Sequence, residues 1–194
     1  EIGRMSELRR FLAPQIADLV IADGDFSRLK SHRREIVVIF CDLRGFTSFA
    51  EAAEPEDVMR VLDEYHRAVG ERCIRYEATF DSFAGDGVLM YFNDPQPVPD
   101  PAVRALRMAD ELRGAMAELS REWRKRGFSL GFGVGIAQGY ATMGRIGFEG
   151  RYDYAAIGTV TNTAARLCAD ARDGEILVTQ KVSAASEGIA RFDA

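Results

Sequence analysis

Residues 36–47 read IVVIFCDLRGFT, and they contain the strand around which the rest of the chain can be arranged. The unbroken apolar run at residues 36–40 favours a central strand that is buried on both faces. Asp42 follows at the carboxyl end of this strand, where open sheets present ligand sites. Thr47 or Ser48 is expected to cap a following helix, whose first backbone N–H groups would form an anion site. The structural alternative is that Asp42 only caps this helix.

Helical and strand-like patterns alternate downstream of this strand. The pattern predicts a helix from Pro55 and then a hairpin of residues 76–83 and 87–92. After the loop 95–101 it predicts a long helix, a second hairpin of residues 128–138 and 140–146, and a helix over residues 157–170. A short strand at residues 175–179 and a last short helix follow. The order β-α-β-β-α-β predicts an α+β, ferredoxin-like (split βαβ) fold, with helices packed on a mainly antiparallel sheet.

The N-terminal residues predict a separate helical segment. Residues 5–22 have apolar side chains at helical spacing, Pro14 kinks or breaks that helix, and residues 23–33 are polar and turn-rich. We therefore expect a helical segment over residues 1–30 and one globular domain over residues 31–194. The helix could pack at a dimer interface as a signal transducer, or could cover the core of its own chain.

Composition and charge exclude several classes of protein. The chain has 194 residues, 47% of them hydrophobic, a formal net charge of −5 and a pI near 5.2. This acidic balance argues against a nucleic acid polymer as partner, because there is no basic excess to neutralise phosphates. The three cysteines are far apart and indicate free thiols in a reducing cytoplasm. No apolar run is long enough to span a bilayer, but an upstream sensor or membrane segment stays open because the sequence begins at Glu1.

Asp86 is the second candidate functional carboxylate. It lies in Gly85-Asp86-Gly87 between two strand-like runs, and Asp-Gly is in itself a strong hairpin signal. In a split βαββαβ fold, however, the first strand and this hairpin are neighbours at the centre of the sheet. Asp42 and Asp86 can therefore converge, as a two-metal phosphoryl-transfer site requires.

Asn162 and Arg166 form the third candidate feature. Their i, i+4 spacing puts both side chains on one face of the predicted helix. Arginine carries a permanent positive fork that suits the charge of a phosphoryl transition state, and asparagine can position a sugar oxygen or a nucleophile. The structural alternative is a solvated polar stripe.

Gly131, Gly133, Gly135 and Gly139 resemble a dinucleotide-binding loop, but the predicted hairpin after them indicates close strand packing instead.

These residues, taken together, resemble the catalytic domains of class III adenylate and guanylate cyclases. The matching motifs are FCDLRGFTSFAE (40–51), FAGDGVLMYF (83–92) and YAAIGTVTNTAARL (154–167), in the family's order and spacing, and the resemblance covers about residues 34–190. It is similar to a bacterial branch of that family. The resemblance implies conversion of a nucleoside triphosphate, with ATP as the first expectation, into a 3′,5′-cyclic nucleotide and pyrophosphate.

The resemblance also assigns expected roles. Asp42 and Asp86 match the two aspartates that bind two divalent cations, Mg²⁺ or Mn²⁺, and the Leu43 carbonyl is a candidate extra ligand. Asn162 and Arg166 match the pair that orients the ribose and steadies the transition state, across the interface of a homodimer. Backbone amides of Gly45, Phe46 and Thr47 would contact the phosphates, and Arg151 would add a further phosphate contact.

Two departures from the family pattern affect these expectations. The two base-reading positions are Ser82 and Ala155, whereas lysine with aspartate or threonine would indicate ATP and glutamate with cysteine would indicate GTP. Base selection is therefore expected to be loose. The sequence also stops at Ala194, before the stretch where the family places a triphosphate-binding lysine, so the C-terminal end is expected to be truncated.

Two alternatives accompany this interpretation. A diguanylate cyclase would share the core and the two-metal chemistry, but its GG[DE]EF hairpin is absent. A catalytically weak or inactive cyclase-like module, which dimerises or senses nucleotide, is favoured by Ser82 and Ala155 and disfavoured by the intact set of two aspartates, asparagine and arginine. The expected location of the catalytic domain is the cytoplasm.

Overall fold

The computed structural model describes Ile16, residues 30–148 and residues 151–193, apart from the side chains of residues 151 and 152. The predicted N-terminal helix over residues 5–22 therefore lies outside the described residues, except for Ile16. The division into residues 1–30 and 31–194 stays a prediction.

Six strands and five helices follow one another in the described residues. In chain order they are β1 (His32–Arg44), α1 (Phe46–Ala52), α2 (Pro55–Tyr76), β2 (Thr79–Ala84), β3 (Gly87–Phe92), α3 (Pro101–Lys125), β4 (Gly131–Phe148), β5 (Arg151–Ile157), α4 (Thr159–Asp170), β6 (Ile176–Val178) and α5 (Gln180–Ala185). Proline opens both long helices, α2 and α3, at the first turn, where its missing N–H has no intrahelical role.

The sheet confirms the predicted α+β, ferredoxin-like topology. Its strand order is β2-β3-β1-β4-β5, and β1 is antiparallel to both β3 and β4. The first four of these strands, with α2 and α3 as crossovers, form the split βαβ core. The other edge of β4 pairs with two further strands. Its first half pairs with β6 in parallel, and its second half pairs with β5 in antiparallel orientation.

The central strand β1 separates two apolar clusters. Residues 36–39 have no solvent-exposed surface, as the unbroken apolar run predicted. Val37, Ile39, Cys41 and Leu43 face α2 and α3, while Ile36 and Val38 face the side on which α4 and β5 pack. Because side chains alternate along a strand, Asp42 and Arg44 fall on the α4 side of the sheet. The described Ile16 is buried in the cluster on that same side.

The predicted hairpin between residues 128–138 and 140–146 is wrong. β4 runs unbroken from Gly131 to Phe148, because β1 pairs with it continuously from His32 to Arg44. Gly139 is not a turn residue: a side chain there would meet Val160 of α4 at 3.3 Å, so the glycine admits the helix. The true hairpin partner of β4 is β5, a strand that the sequence interpretation missed.

No helix within the described ranges is long and apolar enough to cross a membrane.

Candidate active site

Asp42 and Asp86 come together at one end of the sheet, as the sequence predicted. The register of β1 and β3 brings Cys41 opposite Val88, so the tight turn that precedes β3 lies beside Asp42. Gly85, with φ of +67°, and Asp86 form this two-residue turn between paired residues Ala84 and Gly87. The Leu43 backbone N–H donates a hydrogen bond of 3.1 Å to Asp86 Oδ2 and holds this carboxylate against the end of β1.

The proximity of the Asp42 and Asp86 carboxyl groups is electrostatically unfavourable when no cation is bound between them. Burial, followed by a hydrogen bond and charge repulsion with Asp86, raises the pKa of Asp42 to about 7, although Arg44 acts in the opposite direction. Asp42 Oδ1 is buried and has no hydrogen-bond partner within the part of the chain that the structure describes. An unpartnered buried carboxylate oxygen beside a second carboxylate fits a bound cation.

The donor set suits Mg²⁺ or Mn²⁺. No cluster of three or more His, Cys, Asp or Glu side chains able to hold a metal occurs among residues 30–148 and 151–193. A pair of carboxylates is nevertheless the usual protein contribution to a Mg²⁺ site whose other ligands are substrate phosphates and water. The oxygens of Asp42 and Asp86 would therefore hold the metal together with a phosphorylated substrate.

Gly45 makes the turn between β1 and α1. Its φ of +80° is a left-handed conformation that favours glycine, and it is the N-cap residue of α1. The expected capping by Thr47 or Ser48 is wrong, because both lie inside the first turn and no side chain caps the helix. Gly45 and Thr47 are exposed, while Phe46 is partly buried and packs on the core. The first-turn amides of α1 therefore have no capping side chain.

Arg44 connects the carboxyl end of β1 to α4, a contact that the sequence interpretation missed. Its guanidinium donates to the Cys168 carbonyl at 2.5 Å and lies 3.2 Å from Cys168 Sγ. It also lies over Gly133 of β4, where an added Cβ would be 2.5 Å from Nη2. In the sequence, Arg44 stands out only as part of the Leu43-Arg44-Gly45 turn. No local pattern indicates its contact with Cys168, which is 124 positions away.

Helix α4 turns Asn162 and Arg166 to solvent. Both residues are exposed on one face, as their i, i+4 spacing predicted, and Val160, Ala164 and Cys168 are buried on the other face of the helix. No hydrogen bond or ion pair joins Asn162 or Arg166 to the two aspartates in the described part of the chain. One chain therefore brings the two aspartates together but leaves the asparagine and arginine as a separate exposed pair.

Asp81, a residue that was not predicted, accepts hydrogen bonds from the predicted base-reading residue Ser82 and from the residue after Ala155. The Ser82 hydroxyl donates to Asp81 Oδ2 at 2.8 Å, and the backbone N–H of Ala156 donates to Asp81 Oδ1 at 3.2 Å. Ala155 is the neighbour of Ala156 on β5. Burial raises the pKa of Asp81, while both hydrogen bonds act to lower it. The sequence signal available was a carboxylate inside a strand-like run, next to Ser82.

Arg151 lies at the start of β5, where its backbone pairs with Phe148 of β4. Its side chain lies outside the described part of the structure, so its expected phosphate contact stays a prediction.

The chain is similar to known cyclase domains along almost its whole length. The sequence model of the adenylate and guanylate cyclase catalytic domain matches residues 29–193. An adenylate cyclase of Anabaena cylindrica is 33% identical over 136 residues, which are 69% of this chain and 27% of that protein. This chain therefore spans less than a third of the curated relative.

Two solved structures share the fold. The adenylyl cyclase CyaB from P. aeruginosa is 33% identical, with a TM-score of 0.79 over 83% of this chain and 84% of that chain. The guanylyl cyclase Cya2 is 31% identical, with a TM-score of 0.81 over 85% of this chain and 84% of that chain. The similarity thus extends to enzymes that are named for either purine.

Proposed function

Because this chain belongs to the family of adenylate and guanylate cyclase catalytic domains, we propose that it converts a nucleoside triphosphate into a 3′,5′-cyclic nucleotide and pyrophosphate. The observation that carries the proposal is the contact of Asp42 and Asp86, with a buried Asp42 oxygen that lacks a partner among the described residues. A carboxylate whose pKa is raised by burial and by a neighbouring carboxyl group is costly to hold ionised unless the pair binds a cation.

We propose a homodimer with two shared sites. Asn162 and Arg166 are exposed on α4 and have no hydrogen bond or ion pair with the two aspartates among the described residues. A second copy of the chain could present its α4 to these aspartates, which would complete the site. Symmetry would then make two equivalent sites, each built from both chains.

In the proposed reaction the ribose 3′-hydroxyl loses its proton to water, its oxygen attacks the α-phosphorus, and the bond from that phosphorus to the bridging oxygen breaks as pyrophosphate leaves. Divalent cations bound by Asp42 and Asp86 would acidify the 3′-hydroxyl and neutralise charge on the triphosphate. Asn162 would orient the ribose, so that the 3′-oxygen is held in line with the phosphorus. Arg166 would donate to the phosphoryl oxygens, whose negative charge grows in the transition state.

The triphosphate would lie against the turn from β1 to α1. Gly45, Phe46 and Thr47 would offer backbone amides there, without a capping side chain that competes for them. Arg151 would supply a positive charge from β5. The Leu43 carbonyl remains a proposed metal ligand, and its amide is already used by Asp86.

We expect selectivity for ATP over GTP to be modest. Ser82 offers one hydroxyl and Ala155 offers only a methyl group, so neither can make the paired hydrogen bonds of a strict base reader. A pocket that discriminates by shape and one neutral contact reaches about 10- to 200-fold in kcat/KM. Competition between ATP and GTP measures this ratio, and a preference on the order of 10⁴ would contradict the prediction.

Product analysis tests the proposed activity. Purified chain is incubated with ATP or GTP and Mn²⁺, and the products are identified by mass spectrometry. We expect cyclic nucleotide and pyrophosphate in equal amounts from wild type and none from Asp42→Ala. Nucleotide binding without any cyclic product would instead support the inactive sensing module.

A further inference from the structure

The Asp81 carboxylate joins two strands that are not neighbours in the sheet. β2 lies at one end of the strand order and β5 at the other. The pairing of β2 with β3 shifts register between Phe80 and Ser82, so Asp81 is the extra residue of a bulge. Such bulges redirect a side chain. Here the redirected carboxylate accepts two hydrogen bonds, one from the Ala156 N–H of β5 and one from the Ser82 hydroxyl of its own strand.

We propose that Asp81 is a positioning residue for purine selection, which fixes the Ser82 hydroxyl as a hydrogen-bond acceptor for an amino group of the base. This inference rests on the proposed function, because Ser82 and Ala155 are base-reading positions only in a cyclase site. Asp81 acts through Ser82, and it also sets the distance between the strands that carry the two positions.

The direction of the Ser82 hydrogen bond supplies the selectivity. A serine hydroxyl has one proton and two acceptor lone pairs. An ionised carboxylate can only accept, so the proton of Ser82 is committed to Asp81. Ser82 is left with its lone pairs for a ligand. Adenine presents an amino group at position 6 where guanine presents a carbonyl oxygen, so this arrangement favours adenine.

Replacing Asp81 by asparagine should reverse this direction. The Ala156 N–H still requires an acceptor, so the amide oxygen of Asn takes the place of Oδ1. The amide nitrogen then faces Ser82 and donates to its oxygen. The Ser82 proton is released and can be donated to a carbonyl oxygen of guanine.

The experiment compares ATP and GTP in wild type and Asp81→Asn, by turnover with Mn²⁺ and by equilibrium competition against a fluorescent nucleotide. We expect the ATP:GTP ratio in Asp81→Asn to fall by roughly tenfold, about the effect of one neutral hydrogen bond. Ser82→Ala should also lower the ratio, and Asp81→Asn should have no further effect on the ratio in that background.

Asp173→Asn is the matched control. Asp173 also accepts a backbone N–H from a strand, that of Phe132 at 2.9 Å, but it lies near the start of β4. We expect this variant to leave the ratio unchanged. A melting curve shows whether each variant remains folded, and a purely structural role of Asp81 would weaken both nucleotides equally.

The outcomes separate this inference from the proposed function. Turnover with an unchanged ratio in Asp81→Asn, or an equal shift in the Ser82→Ala background, overturns the role of Asp81. A shifted binding ratio without any cyclic product supports Asp81 and overturns the cyclase activity. Absence of both binding and turnover in the folded wild type contradicts both.

Discussion

The carboxylate of Asp42 lies where its negative charge is disfavoured. Without a bound metal, this lowers the free energy of unfolding of the protein. Its Oδ1 is buried without a hydrogen-bond partner among the described residues, and the neighbouring Asp86 carboxyl group raises the pKa of Asp42. Asp42→Asn removes the repulsion and keeps the shape. We therefore expect this variant to be more stable without metal by about 0.5–2 kcal/mol and to be inactive.

Thermal unfolding in EDTA and in Mn²⁺ measures this effect. Mn²⁺ should stabilise wild type and leave Asp42→Asn nearly unchanged, because the variant lacks a metal ligand. Asp173→Asn, which changes an exposed carboxylate elsewhere, should not gain stability. A lower melting temperature for Asp42→Asn than for wild type in EDTA would count against the paired-carboxylate account.

The raised pKa of Asp42 also predicts a pH dependence. A carboxyl group whose pKa is higher in the folded than in the unfolded state binds protons more tightly when folded. Its favourable contribution is complete below the unfolded pKa and is lost as the pH rises through the folded pKa, here from about 4 to about 7. We expect the stability of metal-free wild type relative to Asp42→Asn to fall across that window. A constant difference between pH 4 and 8 would show that Asp42 is ionised normally.

At this scale the sequence predicted the acidic pair but not its neighbours. Asp42 and Asp86 could be placed together because a split βαββαβ fold puts β1 beside the β2–β3 hairpin. Arg44 and Asp81 could not be assigned, because their partners Cys168 and Ala156 are 124 and 75 residues away in the chain. Contacts at that separation depend on the twist of the sheet, which local patterns do not encode.

The position of α4 depends on the glycines of β4. An added Cβ at Gly135 would lie 2.1 Å from the Ala164 carbonyl oxygen and 2.4 Å from the Cys168 nitrogen. The clash is with backbone, so α4 must shift. We expect Gly135→Ala to destabilise the fold by about 1–3 kcal/mol and to lower turnover by displacing Asn162 and Arg166.

Gly114→Ala is the control for this change. Gly114 is exposed in the middle of α3, and an added Cβ there meets nothing within 4 Å. Alanine should stabilise that helix by up to about 1 kcal/mol and leave turnover unchanged. Equal stability and activity of Gly135→Ala and wild type, by urea unfolding and initial rates, would show that α4 is not held by this contact.

The elements predicted best from sequence are those with an uninterrupted pattern. The strand that contains residues 36–40 and the helix that opens at Pro55 appear as expected, and the next long helix begins at Pro101, the last residue of the predicted loop. The prediction failed at β4 and β5. The prediction placed a turn at Gly139, but continuous pairing of β1 with β4 across this position overrides this local preference. β5 was partly absorbed into the helix that follows it, which begins at Thr159 and not at residue 157.

In the whole molecule, the two residue pairs proposed to form one active site are joined by no hydrogen bond or ion pair among the described residues of one chain. Asp42 and Asp86 converge at the end of β1, while Asn162 and Arg166 project from α4 into solvent. The sequence motifs could identify all four residues by resemblance. They could not show that one chain leaves the pairs apart, because that depends on how α4 packs through Val160, Ala164 and Cys168 on the sheet.

Mixing two inactive variants tests the shared site most directly. Asp42→Ala lacks a proposed metal ligand and Arg166→Ala lacks the guanidinium proposed to stabilise the transition state, and each alone should be inactive. Heterodimers of the two should contain one intact site, formed by Asp42 from one chain and Arg166 from the other. We therefore predict that co-expressed and jointly purified heterodimers recover about half of the wild-type cyclase rate, because one of two equivalent sites is complete. Heterodimers that form but have no more activity than either variant alone would contradict the account.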